Sequence, residues 1–197
     1  MTATEATPLT RQHQGQLIPA TGTYQIDKSH STVEFIARHL MISKVRGRFD
    51  EFSGAVTIAE VPEESSVDVT IDAASVSTKE PQRDEHLRSA DFFDVATYPV
   101  WHFASTTVAP AGDNHWKVTG DLTLHGTTKS VVLDVEFEGA EATPWGTTAI
   151  GFSASTEIDR EEFGLTWNQA IEAGGVVVGK RIRIELGVEA SAAAAAA

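Results

Sequence analysis

The chain contains no cysteine among its 197 residues. This absence excludes disulfide bonds, thiolate metal ligands and cysteine nucleophiles. Long apolar segments are also lacking. The run GVVVG at residues 175–179 is typical of the apolar runs present, whereas a membrane-spanning helix needs about 20 apolar residues. The sequence therefore predicts no stable insertion into a membrane.

Basic residues are scarce, with 15 Lys and Arg against 28 Asp and Glu and a net charge of −13. Such a chain repels a phosphate backbone, so no nucleic-acid partner is expected. Basic clusters occur at 44–48 (KVRGR) and 180–183 (KRIR), and in the second Arg181 and Arg183 alternate with the apolar Ile182, as on the exposed face of a strand. Residues 1–20 lack the basic-then-apolar order of a secretory signal, so a cytoplasmic location is expected.

The dominant pattern is an alternation of apolar and polar residues, which is typical of strands with one buried face. The clearest segments are 33–37, 67–71, 131–137 and 182–188, with Val132 as the single exception. With less regular segments and turn sequences between them, they predict about eight long antiparallel strands. Residues 80–88 indicate a helix, for which Thr78 can serve as the N-cap, and short helices or turns are also indicated at residues 160–164 and 40–44.

In its sequence motifs the chain resembles the YceI-like family of lipocalin-like, polyisoprenoid-binding proteins. The resemblance rests on blocks in the family's order: 24–35 (YQIDKSHSTVEF), 45–49 (VRGRF), 83–94 (RDEHLRSADFFD), 120–126 (GDLTLHG) and 158–160 (IDR). It implies an all-β fold, namely an antiparallel eight-stranded lipocalin-like barrel with a short helix closing one mouth. It further implies a pore that accepts a long isoprenoid or fatty chain, such as a polyprenyl lipid or a quinone.

The predicted domain organisation has three parts. Residues 1–21 are expected to form a flexible arm, residues 22–190 the barrel, and residues 191–197 an alanine-rich disordered tail. The leading functional hypothesis is a non-enzymatic carrier or buffer of an isoprenoid-type lipid, with a homodimer left open. No cofactor is expected.

The predicted ligand-binding residues fall into three groups. Those expected to face inward are Phe35, Phe49, Val69, Ile71, Phe103, Leu122, Leu124, Leu133, Phe152, Ile182 and Ile184. Those expected near the openings are Phe92, Phe93 and Trp167. Arg83 and His86, about one helical turn apart, are candidates for contacting a polar headgroup, unless Arg83 pairs instead with an acidic residue nearby.

Other functions remain open on the residues alone. The inward residues could fill a solid core, which would favour a structural or partner-binding barrel, although the small residues Ala37, Gly120 and Ala154 favour a channel. An enzyme acting on a small lipid would use His30 or His86 as a base. The sequence contains no GxSxG elbow and no pair of histidines at metal-ligand spacing, so neither a catalytic residue nor a metal site is predicted.

Overall fold

The computed structural model of the protein describes residues 8–144, 146–170 and 176–192. Its strands are β1 (Thr10–His13), β2 (Gln16–Pro19), β3 (Gly22–Ile26), β4 (Thr32–His39), β5 (Ser43–Phe49), β6 (Phe52–Ile58), β7 (Ser66–Asp72), β8 (Val76–Ser77), β9 (Val100–Pro110), β10 (His115–Leu124), β11 (Thr127–Ala142), β12 (Thr148–Asp159) and β13 (Val178–Ala192). The helix α1 spans Pro81–Arg88, and short 3-10 turns span Pro62–Glu64, Ala73–Ser75 and Arg160–Phe163.

The strands form a closed antiparallel barrel with eight positions. Neighbours around the ring are β3, β6, β7, β9, β10, β11, β12 and β13, and β13 closes the ring by pairing with β3. Strand β4 follows β3 along the same side of β13, and β5 pairs with β4. The eight-stranded barrel predicted for this chain is therefore confirmed.

Connections between strands alternate between two ends of the barrel, except that β4 continues in the direction of β3 and β6 continues in the direction of β5. The helix end carries the β4–β5 turn, α1 and the Arg160–Phe163 turn. The hairpin end carries the β6–β7 connection and the β1–β2 hairpin, in which Arg11 donates to the backbone carbonyl of Ala59 at 2.6 Å.

The apolar and polar residues that alternate along the sequence lie on opposite faces of the barrel wall. In β10, Trp116, Val118, Leu122 and Leu124 are all buried, whereas the intervening charged residues are exposed. Val132, the exception to the pattern in β11, is 47% exposed. Side chains of successive strand residues point to opposite faces, so the inner face alone becomes the apolar core.

The segment around α1 closes the helix end. Glu80, not Thr78, is the N-cap, since its carboxylate accepts from the backbone N–H groups of Gln82 and Arg83. Phe92 and Phe93, which follow the helix, are each 6% exposed. The predicted short helix at one mouth is therefore present, with two phenylalanines packed beneath it.

The predicted flexible arm is wrong over the residues that form β1 and β2. These two strands pair from Thr10 to Pro19, and Ile18 is only 2% exposed. Gln14 and Gly15 have φ values of 50° and 84°, which suit the tight turn of a hairpin. Burial of the apolar residues after this turn stabilises a segment whose composition alone indicates no structure.

The predicted tail also begins too early. Ser191 and Ala192 pair with β3 as the last residues of β13. The remainder of the predicted tail, residues 193–197, and the first residues of the predicted arm, 1–7, lie outside the described residues. Among the described residues, no helix is long and apolar enough to cross a membrane.

Candidate ligand-binding cavity

The barrel interior contains a cavity of about 190 Å³. Every strand of the ring contributes to its wall, and the wall is apolar apart from the hydroxyl groups of Ser65, Ser66 and Thr156. No charged side chain is among the described residues that line it. For scale, an engineered apolar cavity of about 150 Å³ holds one benzene molecule and stays dry when empty. The cavity is therefore suited to an apolar ligand group.

The structure divides the predicted inward residues by their depth in the barrel. Those that line the cavity are Val69, Ile71, Phe103, Leu122, Leu133, Phe152 and Ile184. Those that do not line it are Phe35, Phe49, Leu124 and Ile182, together with Arg83, His86, Phe92, Phe93 and Trp167. Phe35, Leu124 and Ile182 lie nearer the helix end than the lining residues of their own strands, and Phe49 ends β5, which contributes no lining residue. The other five belong to the segments that cover the helix end.

An aromatic cluster fills the interior at the helix end. The rings of Phe49 and Trp101 have centroids 4.8 Å apart, and those of Phe93 and Trp101 are 4.7 Å apart. Phe35 packs against Phe49 and Phe93 at 5.8 and 6.4 Å. Offset and edge-to-face contacts of this kind stabilise a packed core. The cavity therefore occupies the middle of the barrel and its hairpin end.

The alternative in which Arg83 pairs with an acidic residue is not found among the described residues. Its Nε donates to Thr78 Oγ1 at 2.7 Å, and its Nη2 donates to the Thr78 carbonyl at 3.0 Å. Thr78 in turn donates through its N–H and hydroxyl to the buried carboxylate of Asp84. The guanidinium thus braces the entry to α1 from outside the cavity wall.

His86 also lies outside the cavity wall. Its Nε2 is 3.0 Å from Asp91 Oδ2, and its ring packs edge-on against Phe92 and Trp167 with centroids 5.0 and 4.8 Å apart. These contacts hold the α1 segment against residues that follow the Arg160–Phe163 turn. A headgroup-binding role for Arg83 and His86 stays a prediction.

Several lining residues were missing from the predicted site. The hairpin end contributes Ile18, Pro19, Ile58 and Pro62, and other strands contribute Val33, Val56, Val67, Trp116, Val118, Val131, Val135, Leu186 and Val188. Many of these carry the same alternation as the predicted residues, so the pattern could have found them. Ile18 and Pro19 carry no such signal, because their hairpin is short and flanked by polar residues.

The other candidate base, His30, belongs to a hydrogen-bonded cluster between β3 and β4. Its Nδ1 is 2.9 Å from Asp27 Oδ2 and 3.2 Å from Ser29 Oγ, and Ser29 Oγ donates to Asp27 Oδ1 at 2.6 Å. Serine and carboxylate thus meet the same ring nitrogen, whereas a catalytic triad uses the two different nitrogens. This arrangement does not activate Ser29 as a nucleophile.

The same cluster perturbs two ionisation equilibria. Hydrogen bonds from the Ser29 side chain, then from His30, lower the pKa of Asp27 to about 2. The hydrogen bond and charge of Asp27, with the charge of Glu189, raise the pKa of His30. Ligand atoms of Asp27, His30 and Glu189 lie within 4.8 Å of one another, so they have the chemistry to hold a metal ion. In the structure Asp27 and His30 are instead hydrogen-bonded to each other, and Glu189 Oε1 lies 3.8 Å from His30 Nδ1.

Comparison with known proteins agrees with this architecture. A UPF0312 protein of Staphylococcus aureus strain USA300 is 38% identical over 171 residues, which cover 85% of this chain and 96% of that protein. Among solved structures, BcnA of Burkholderia cenocepacia superposes with a TM-score of 0.73 at 26% identity, covering 83% of this chain and 98% of that one.

Two further solved structures share the fold, and a family model identifies the family. The YceI protein of Campylobacter jejuni superposes with a TM-score of 0.69 at 34% identity, covering 79% of this chain and 90% of that one. A polyisoprenoid binding domain from Saccharophagus degradans shares the fold, with a TM-score of 0.66 at 18% identity, covering 88% of this chain and 100% of that one. The model of the YceI-like domain matches residues 24–190, and the chain belongs to the YceI-like family.

Proposed function

We propose that the barrel binds the apolar chain of an amphiphilic lipid, of the isoprenoid or another long-chain type, and carries or buffers it without chemical change. The observation that carries this proposal is the apolar cavity inside a closed barrel. A wall without charged groups offers a ligand no strong polar anchor at depth. The cavity therefore selects ligand groups that are apolar and slender.

Chain burial is the source of affinity in this proposal. Each buried methylene contributes about 0.8 kcal/mol, so a few carbon units outweigh a single hydrogen bond of about 1 kcal/mol. The neighbour from Saccharophagus degradans is described as a polyisoprenoid binding domain. That description makes isoprenoids the first ligand class to test.

The size of the cavity limits how a long chain would bind. At about 190 Å³ it is smaller than the 300–1,000 Å³ pockets that enclose drug-sized ligands. We propose that the terminal part of the chain occupies the cavity. Deeper entry would require the aromatic cluster at the helix end to change its packing.

The test is a pair of neighbouring substitutions on opposite faces of β11. Val131 lines the cavity, whereas Val132 is 47% exposed on the outside. Val131→Trp should fill the cavity and abolish binding of geranylgeraniol and palmitate, whereas Val132→Trp should bind both like the parent. Circular dichroism would verify that both variants fold. Unchanged binding by a folded Val131→Trp variant would place the ligand outside the barrel and overturn the proposal.

A companion measurement identifies the natural ligand class. Freshly purified protein would be analysed by native mass spectrometry and then extracted with organic solvent. We expect a long-chain lipid in the parent and in Val132→Trp, and none in Val131→Trp. Lipid recovered equally from all three proteins would indicate adsorption to the surface.

A further inference from the structure

A groove on the outer wall of the barrel concentrates positive charge on an otherwise acidic protein. It measures about 680 Å³ and crosses the outer face of β13, β4 and β5. Two glutamates, Glu157 and Glu185, are the acidic residues in its lining. Its basic lining residues are Arg38, Lys44, Arg46, Lys180, Arg181 and Arg183. The chain as a whole carries a net charge of −13, so the net charge of this groove is opposite in sign to that of the whole chain.

Strand register places these cations side by side. Ile36 of β4 lies between Arg183 of β13 and Arg46 of β5, and Arg38 is paired with Lys44. Ile36 is on the outer face and yet only 7% exposed. The aliphatic stems of long basic side chains cover apolar surface while their charged ends stay in water. The groove is therefore a continuous sheet surface with a row of outward-pointing cations.

Acidic neighbours neutralise only part of this row. Four of the six cations form ion pairs. Arg46 lies 3.1 Å and Arg183 lies 2.8 Å from Glu185, Arg181 lies 2.6 Å from Glu157, and Lys180 lies 2.7 Å from Glu161. Arg38 and Lys44 form no ion pair of 4.0 Å or less with the described residues. The remaining positive charge is thus strongest next to the β4–β5 turn.

The β4–β5 turn presents apolar side chains to solvent beside those cations. Met41 is 56% exposed and Ile42 is 83% exposed. Leu40 and Met41 have φ values of 50° and 61°, a left-handed conformation that hairpins usually assign to Asn and Gly. Neither the solvent exposure nor the backbone conformation is explained by packing inside the barrel.

We infer that this face docks the barrel on an anionic lipid bilayer, with Met41 and Ile42 inserted among the headgroups and the basic groove against the lipid phosphates. Basic residues beside exposed apolar ones are the combination that binds membrane interfaces. A bilayer is planar, so the acidic remainder of the protein stays away from it. The inference goes beyond the proposed function and does not require an occupied cavity.

The described surface favours a bilayer over a nucleic acid. No aromatic side chain lies among the described lining residues of the groove, whereas single-stranded nucleic acids are bound largely by stacking on aromatic rings. A phosphate backbone offers no apolar surface to the side chains at the tip of the β4–β5 turn. The boundary between lipid headgroups and acyl chains does offer such a surface.

The test is sedimentation with phosphatidylcholine vesicles that contain or lack phosphatidylglycerol. We expect the parent to bind the anionic vesicles and not the neutral ones. The double variant Arg38→Gln/Lys44→Gln should bind more than about tenfold more weakly, since each basic residue near such a surface contributes about fivefold. Lys28→Gln/Lys129→Gln makes the same change of charge outside the groove and should bind like the parent.

Insertion of the β4–β5 turn into the bilayer can be measured separately. Because the chain contains no cysteine, a single introduced cysteine is the only site that a thiol-reactive fluorophore labels. Ile42→Cys, labelled with an environment-sensitive fluorophore, should shift to shorter wavelength on anionic vesicles, and Val132→Cys should not. Equal binding to neutral vesicles, an unaffected groove variant, or an unshifted label at position 42 would overturn the inference. Groove-dependent binding to RNA without binding to vesicles would also overturn it. Because no internal ligand is needed, failure here would leave the cavity proposal standing.

Discussion

The ring of Phe35 lies over Gly47, its partner on the neighbouring strand. A Cβ atom placed on Gly47 would come within 2.6 Å of Phe35 Cε1 and 2.9 Å of Thr78 Cγ2. A Cβ atom on Gly120 would likewise come within 2.6 Å of Phe103 Cε2, although Gly120 is paired with Ser105. Glycine therefore makes room for a phenylalanine ring at both positions. Small inward residues in this barrel do not all widen a channel.

Gly47→Ala should destabilise the barrel by about 1–3 kcal/mol, because the added methyl group overpacks the aromatic cluster. For a protein of this size the thermal midpoint should fall by about 2–4 °C for each kcal/mol. Gly151→Ala is the matched control, since a Cβ there meets Glu138 Cβ at an ordinary 3.5 Å. Equal midpoints for the two variants would show that the Phe35 ring can move aside without loss.

Much of the fold could be predicted because alternation and turn residues are local signals. In β10 and β11 the apolar residues identify the inner face, and the structure confirms it. The hairpin at the N-terminus could not be predicted in this way. Its stability depends on the burial of Ile18 against strands distant in sequence, and four-residue strands carry too few residues to show a period.

The sequence predicts which residues of the candidate site lie on the inner face of the barrel wall, but it does not predict their depth along the barrel axis. Leu122 and Leu124 share the inner face of β10, yet only Leu122 lines the cavity. Alternation has a period of two residues and contains no information about position along the barrel axis. Depth depends on where Phe49, Phe93 and Trp101 pack, which is a tertiary property.

Affinity should rise with chain length and then stop rising. For a series of saturated fatty acids, each added methylene that enters the cavity should tighten binding about fourfold, since it contributes about 0.8 kcal/mol. Beyond the length that fills the cavity, further carbons remain outside and add little. Titration of the series against the parent measures both the slope and the break point. A slope near zero at every length would indicate that the chain does not enter.

Acid stability should depend on Asp27. Its pKa is lowered in the folded state to about 2 from an ordinary value of 3.8. The stabilisation is therefore complete above about pH 4 and is lost as the pH falls towards 2. Asp27→Asn should flatten the decline of the thermal midpoint across this window. Asp121→Asn, at an exposed position on β10, should decline like the parent.

His30 should respond to the same substitution. Its pKa is raised chiefly by the hydrogen bond and charge of Asp27, so its stabilising effect is present below pH 6.5 and is lost as the pH rises through the raised value. In Asp27→Asn the imidazole should titrate closer to its ordinary pKa of 6.5, with Glu189 retaining part of the shift. An NMR titration of the ring protons measures this directly, and an unchanged midpoint would contradict the assigned cause.

The β1–β2 hairpin should control ligand exchange at its end of the barrel. Ile18 lines the cavity and is 2% exposed, whereas its neighbour Leu17 is 37% exposed. Ile18→Asp places a carboxylate in an apolar site, which releases the hairpin, because an unpaired buried charge is strongly unfavourable. Losing the burial of one such side chain, about 1.5–3 kcal/mol, corresponds to about 10- to 100-fold more open hairpin.

The dissociation rate of a fluorescent fatty acid, followed by stopped flow after mixing with excess unlabelled ligand, tests this directly. Ile18→Asp should release the probe about 10- to 100-fold faster than the parent, in proportion to the larger open population. Leu17→Asp introduces the same charge one residue away on the solvent side and should release the probe at the parental rate. Faster release from both variants would mean that charge on the hairpin, not its detachment, alters exchange. Parental rates in both would mean that the ligand leaves by the helix end, past Phe92 and Phe93.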